Sequence, residues 1–278
     1  MPNFSAPRRL IITADDFGLH EAVNKAVEQA HREGVLTAAS LMVGAPAAAD
    51  AVQRARRMPG LHVGLHVVLA DGAAVLPRRE IPDLVDADGR FGQSMVCDGC
   101  RIFLLPHVRR QLRAEITAQF EVFQAFGLKL DHVNAHKHFH LHPTVLSLML
   151  SVGKQFGVHA VRFPNEEGSS KFLRPCLATM HRRLTRAGIA HNDRIVGLQQ
   201  SGSMDEAALL AALSRVPAGV TEIYLHPATR GGISESMPSY RHPDELAALM
   251  SPRVREALDR FGIIRGGFSD FWPVRASE

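Results

Sequence analysis

Short apolar stretches of strand length alternate with amphipathic stretches of helix length along almost the whole chain, and this alternation restricts the fold more than any other feature. Strands separated by helices pair in parallel, with the helices packed against the sheet. Leu10-Ile11-Ile12-Thr13 reads as the first strand. Leu19, Ala22, Val23, Ala26, Val27 and Ala30 then recur at helical spacing until Gly34. Val35 to Val43 is a second strand, Pro46 opens a helix to about Arg57, and Leu61 to His66 is a third strand. Val108, Leu112, Ile116, Phe120 and Phe123 mark a long amphipathic helix that Gly127 ends. Leu128 to Ala135 is the next strand and Pro143 to Phe156 the next helix. Later strands are expected at Val158–Arg162, Glu222–Leu225 and Gly262–Arg265, with helices at Phe172–Ala187, Glu206–Ser214 and Asp244–Phe261. So many β/α units predict an α/β fold, an irregular (β/α) barrel in a single domain over residues 1–278. Periodicity alone also accommodates an open sheet.

With 278 residues and 46% hydrophobic content the chain has ample material for a core, and 22% charged residues suits an ordinary globular protein. The start, Met1-Pro2-Asn3-Phe4-Ser5-Ala6-Pro7-Arg8-Arg9, lacks the apolar centre of a secretory signal, and no stretch has the length of a membrane span. A soluble cytoplasmic protein is expected. Three cysteines argue against a disulfide framework, and Cys97-Asp98-Gly99-Cys100 has zinc-like spacing without a second pair, so it reads as incidental. The net charge of +4 resides partly in Arg56-Arg57, Arg78-Arg79, Arg109-Arg110 and Arg182-Arg183, which read as solvated helix faces. Nucleic acid is not an expected partner, because no aromatic or recognition-helix motif accompanies them.

The stretch from Leu69 to Leu105 is irregular and ends in the apolar run Ile102-Phe103-Leu104-Leu105. A loop of this length in a compact domain usually has a function. It can be a wall over a site or a peripheral excursion with its own small cluster.

Five of the chain's fifteen histidines, His132, His136, His138, His140 and His142, fall within eleven residues on alternating positions that an extended backbone would project to one side. That is the composition of a metal site, although a surface tract would look the same on this segment alone. Asp15-Asp16 follows the first strand, His66 ends the third, His136 ends the strand before Pro143, and His226 ends a late one. Carboxyl ends of strands converge on one face of an α/β fold, where ligands bind. Singly, Asp15 or Asp16 could cap a helix and His66 or His226 could be a bonded core histidine. Together they predict a shared metal site.

Ala14-Asp15-Asp16-Phe17-Gly18, Gly64-Leu65-His66, Asn134-Ala135-His136-Lys137-His138-Phe139-His140 and Leu225-His226-Pro227 together resemble the YdjC-like family of carbohydrate deacetylases, over about Arg9 to Asp270. The resemblance implies an irregular barrel of the polysaccharide-deacetylase type that removes acetyl groups from N-acetylated sugars with one divalent metal. It places that metal, magnesium or zinc, on Asp16, His66 and His136. Relatives often carry Asp-Ser-His-His-His where this chain has Asn134-Ala135-His136-Lys137-His138, so the polar contacts beside the ligand differ. The segment Ala70 to Phe91 and the ending Arg265-Gly266-Gly267-Phe268-Ser269-Asp270-Phe271 look most like the hopanoid-biosynthesis-associated branch. That branch implies an N-acetylglucosaminyl hopanoid lipid as substrate, and contact with the inner membrane surface would then give the apolar run and basic pairs a purpose. A homodimer is a further partner left open.

Hydrolysing an amide needs an activated water, a stabilised oxyanion and a proton for the departing amine. One carboxylate and two imidazoles leave open positions on a metal for water and carbonyl. Asp15 is placed as general base and His226 as the proton donor to the amine. Arg162 in Val161-Arg162-Phe163-Pro164 resembles the arginine that orients the base in related deacetylases. Asn134 and the remaining histidines His132, His138 and His140 are expected to contact sugar or support the ligands. Alternatives are a chitooligosaccharide deacetylase, another metallohydrolase such as a phosphoesterase, and a non-catalytic sugar- or lipid-binding barrel, against which an intact Asp15 argues.

Overall fold

The computed structural model describes residues 6–168 and 170–273, so the first five residues of the segment inspected for a signal lie outside the described residues. Strand β1 (Arg8–Phe17) occupies the middle of a parallel sheet. From it the sheet extends one way through β2 (Ala38–Leu41), β3 (His62–Val67) and β4 (Val133–Ala135). In the other direction lie β6 (Gly219–Leu225) and β5 (Arg194–Val196), and β7 (Ile264–Arg265) pairs with the start of β1. From Ile11 to Phe17 every residue of β1 is buried, as expected of a parallel strand covered on both faces.

The crossovers are helical for the reasons the spacing suggested. Helix α1 (Glu21–Arg32) buries Ala22, Val23, Ala26, Val27 and Ala30 as one stripe, and His20 Nδ1 caps it by accepting the Ala22 N–H at 2.9 Å. The remaining helices are α2 (Ala48–Arg56), α3 (Met95–Leu104), α4 (Pro106–Ala125), α5 (Pro143–Gly153), α6 (Arg174–Ala187), α7 (Glu206–Ser214), α8 (His242–Met250), α9 (Pro252–Arg260) and α10 (Phe268–Phe271). No helix of the described residues is long and apolar enough to cross a membrane.

Three sequence expectations are corrected. The strand expected at Val158–Arg162 forms only single bridges, Val133 to Val161 and Ala160 to Ala190. Beside it the Asn192 carboxamide accepts the Phe163 N–H and donates to the Phe163 carbonyl, both at 2.7 Å, so a side chain stands where a neighbouring strand would. This flank is what makes the barrel irregular. The helix expected over Asp244–Phe261 is two, because Ser251-Pro252 breaks it and the Ser251 hydroxyl caps α9 at Val254. The irregular stretch 69–105 contains α3, and its Ile81, Val85, Phe91 and Ile102 are buried in the same core as the barrel strands. A separate small cluster is therefore excluded for the inner face of this stretch, and a single domain accommodates it.

Candidate active site

Two adjacent carboxylates in a regular strand point to opposite faces. In β1 the register with β2 shifts between Ala14 and Phe17, and Asp16 takes a left-handed conformation with φ of 61°. Such a bulge re-aims side chains, and the strain it stores is typical of functional positions. Asp15 turns toward Arg162 and Asp16 toward His66 and His136.

Asp16, His66 and His136 meet at the carboxyl ends of β1, β3 and β4, all buried, with one candidate ligand atom from each lying within 4.8 Å of the others. Asp16 Oδ1 is 3.1 Å from His136 Nδ1 and 3.4 Å from His66 Nε2, and the two histidine nitrogens are 3.3 Å apart. Despite this proximity neither Asp16 oxygen has a well-aligned hydrogen-bond donor. A buried carboxylate facing two imidazole nitrogens without such donors is costly unless a cation shares the space. One carboxylate oxygen and two imidazoles suit zinc and its neighbours in the first transition series, and the residues present therefore fit a divalent ion. Burial works to raise the Asp16 pKa, but the two imidazoles beside it, His136 first, hold the carboxyl well below the usual range.

The second half of the site is a buried ion triad. Arg162 spans Asp15, at 2.5 and 2.9 Å, and Glu222, at 2.8 and 3.1 Å, and lies over the Tyr224 ring. Thr13 donates its hydroxyl to Glu222 at 2.7 Å. Burial opposes ionisation of Asp15, but the positive charge of Arg162, with His66, His226 and the Arg162 hydrogen bonds, keeps it ionised below the ordinary carboxylate range. His226 follows β6 and is nearly buried, its ring edge-on to Tyr240 and Tyr224 with centroids 5.0 and 5.5 Å away. Its backbone is held at both ends, the N–H by Glu245 and the carbonyl by His242 Nδ1.

The structure brings together Asp15, Asp16, His66, His136, Arg162 and His226. The histidine run does not present one extended face, because β4 ends at Ala135 and Lys137 and His138 are both left-handed. His138 reaches the Tyr224 hydroxyl at 3.2 Å and is half-buried. Three expected substrate contacts face elsewhere. His132 lies behind β3 against Gly64, stacked on Phe268, with its nitrogens engaged by Asp131 at 2.9 Å and Ser40 at 3.1 Å. His140 is fully buried and bonds the Arg162 carbonyl at 3.1 Å, and burial, with the Arg162 charge adding to it, pushes its pKa down to about 3. Asn134 is buried between His66 and Arg162, opposite His66 in the β3–β4 register.

Residues the sequence reading missed include Glu222, a carboxylate inside an apolar strand, which is itself the signal that could have found it. They also include Asp71 and Lys137, whose 2.7 Å ion pair ties the 69–105 stretch to the turn after His136. Asp71, with Leu19, Met42, Val68 and Met237, lines a cavity of about 80 Å³ that His136 borders, so this stretch supplies a wall of the site. Cys97 and Cys100 are exposed on α3 with free thiols.

A carbohydrate deacetylase of Geobacillus stearothermophilus is 29% identical over 274 residues, covering 96% of this chain and all of the relative. One of Mus musculus is 30% identical, with 97% of each chain covered. One of Brevibacillus brevis is 39% identical over 156 residues, a match that spans 56% of this chain and 59% of the relative. Among solved structures, a protein of Enterococcus faecalis V583 named provisionally for cellobiose-phosphate cleavage superposes with a TM-score of 0.79 at 24% identity, covering 96% of this chain and 99% of its own. A peptidoglycan N-acetylglucosamine deacetylase superposes with a TM-score of 0.52 at 12% identity, covering 99% and 94%. These two likenesses establish the polysaccharide-deacetylase type of fold. The sequence profile of the YdjC-like proteins matches residues 9–260, nearly the full length that carries both halves of the site, and the chain belongs to that family.

Proposed function

We propose that this chain is a carbohydrate deacetylase that hydrolyses the acetamido group of an N-acetylated amino sugar, with a divalent ion held by Asp16, His66 and His136. The observation that carries the reading is the convergence of these three buried groups beside a second carboxylate, Asp15, whose orientation is fixed by Arg162. A divalent ion at this position supplies Lewis acidity toward water and the substrate carbonyl. Asp15 accepts the proton of the attacking water, using lone pairs that Arg162 leaves free, and Arg162 and Glu222 keep the carboxylate aimed. His226 gives a proton to the departing amine. Tyr224 and His138 border the sugar. The relatives named carbohydrate deacetylase support the reaction class.

The finer reading is a lipid-linked substrate, an N-acetylglucosaminyl hopanoid, met at the inner membrane surface. It is supported by the apolar side chains that α3 exposes, with Val96 at 79%, Phe103 at 59% and Leu104 at 67%. A two-metal phosphoesterase is less well supported, since Asp16, His66 and His136 form the one candidate ligand group among the described residues. Acetate release, measured on N-acetylglucosaminyl lipids and on chitooligosaccharides with defined metals, tests both levels. Metal-dependent release is expected, faster with the lipid. Preference for chitooligosaccharides would overturn the lipid reading, and no release from either would overturn the activity.

A further inference from the structure

Asn134 sits where one carboxamide faces three demands. Its side chain lies 2.6 Å from His66 Nδ1, 2.8 Å from Ser40 Oγ and 3.0 and 3.1 Å from the two terminal nitrogens of Arg162. Arg162 has five N–H groups, and its four bonds to Asp15 and Glu222 leave one hydrogen on the first terminal nitrogen for Asn134. With the carboxamide oxygen toward Arg162, that hydrogen is accepted, the Ser40 hydroxyl is accepted, and the amide N–H donates to His66 Nδ1. Each contact of the carboxamide then pairs a donor with an acceptor, provided that His66 carries its proton on Nε2.

The same arrangement is incompatible with His66 as a ligand through Nε2, the nitrogen that faces Asp16 and His136. A ligating Nε2 has no proton, so the proton moves to Nδ1 and requires an acceptor. The carboxamide must then present its oxygen to His66 at 2.6 Å, with its nitrogen donating to Ser40. That orientation sets the amide NH₂ against the Arg162 guanidinium, donor against donor in a site with no exposure to water.

We infer that Asn134 is a positioning residue with two orientations coupled to the cation: one locks Arg162 while His66 is uncoordinated, and the other orients His66 for coordination at the expense of Arg162. Cation affinity is therefore lowered by the need to turn the amide, and a carboxylate at this position would relieve the conflict by accepting from His66 Nδ1 and Arg162 at once. The inference rests on the proposed ligand set.

The test uses the full chain, freed of metal and titrated with zinc against a chromophoric chelator. Asn134→Asp is expected to bind zinc about 10–100-fold more tightly, the range in which groups that orient histidine ligands act. Nitrogen-15 histidine spectra of the metal-free proteins separate this from added negative charge. His66 should be the Nε2–H tautomer in the unaltered protein and the Nδ1–H tautomer in Asn134→Asp, whereas charge alone would tighten binding without changing the tautomer. Equal or weaker zinc binding by a folded Asn134→Asp, or a metal-free unaltered protein already in the Nδ1–H form, overturns the inference. The second measurement needs no variant and decides the matter if Asn134→Asp does not fold. Failure of the unaltered protein to bind zinc, or zinc binding unchanged in His66→Ala, would instead remove the ligand set on which the inference rests.

Discussion

Asp16→Ala, His66→Ala and His136→Ala each delete one of three protein ligands, so each should lower the metal content of the purified protein by elemental analysis. Full occupancy in any of them would remove that residue from the set. Asp15→Asn is expected to retain metal and fold but lose turnover by roughly 10²–10⁴-fold, the usual contribution of a general base. Arg162 remains compensated by Glu222 in that variant, which is why the fold should survive. Near-normal turnover with metal bound would mean that another group activates water. The residues behind these expectations were legible because strand ends in a parallel α/β fold share one face, so Asp15, Asp16, His66, His136 and His226 could be gathered from positions far apart in the chain. Which histidines of the clustered run face the site was not legible. That depends on the left-handed turn at Lys137 and His138; histidine is among the residues enriched in that conformation, but the lysine before it carries no such signal. His132 was misplaced for a related reason, since its partners Ser40 and Phe268 are distant in sequence.

Helix α3 was not read from the sequence, because Gly99 interrupts its only apolar stripe and little of it is buried beyond Ile102. The same exposure makes it a clean element to test. Phe103 and Leu104 project away from the core, so Phe103→Ser with Leu104→Ser should leave Tm nearly unchanged while raising KM for a lipid-linked substrate. Each methylene no longer buried by that substrate would cost about 0.8 kcal/mol of binding. A short soluble N-acetyl sugar should be hydrolysed as before, since the metal chemistry is untouched. Equal losses on both substrates, with a lowered Tm, would mean that α3 serves the fold and not the lipid. The strand expected near Val158 and the overlooked β5 are the reverse case. Apolar composition announced the first, but its partners offered only single bridges, while three residues of β5 are too few for any periodic signal.

At the scale of the whole molecule, barrel and open sheet could not be separated from the sequence because the flank that decides between them is closed by side chains. Asn192 does so at Phe163, and Asp131, just before β4, holds a further segment, α10. Its buried carboxylate accepts from the Phe268 and Ser269 N–H groups at 3.2 and 2.9 Å, the Ser269 hydroxyl at 2.7 Å and His132 at 2.9 Å, with His62 at 3.2 Å. It thereby clasps α10 to the start of β4. Burial opposes the charge, but the hydrogen bonds from His132, His62 and Ser269 hold its pKa far below the usual range. A depressed carboxyl contributes stability above its unfolded pKa of about 4, and that contribution is lost as the pH falls further. His62 carries the opposite sign. Burial lowers its pKa, yet Asp131 and Asp270 raise it overall, so its contribution is full at low pH and fades as the pH rises through the elevated value. The clasp should therefore be strongest between about pH 4 and about pH 6.5, the ordinary histidine value, and should weaken from there as the pH rises through the raised pKa of His62. Asp131→Asn cannot accept from so many donors and should lose on the order of 2–4 kcal/mol, because hydrogen bonds to a buried charge are the strong ones. For a chain of this size that lowers Tm by roughly 5–10 °C near pH 7. Thermal unfolding of both proteins from pH 7 to pH 3 should show the gap narrowing on the acid side, as folding comes to depend on ionising a carboxyl that is protonated in the unfolded chain. A gap that stays constant over that range would mean that Asp131 holds the segment by shape and not by charge.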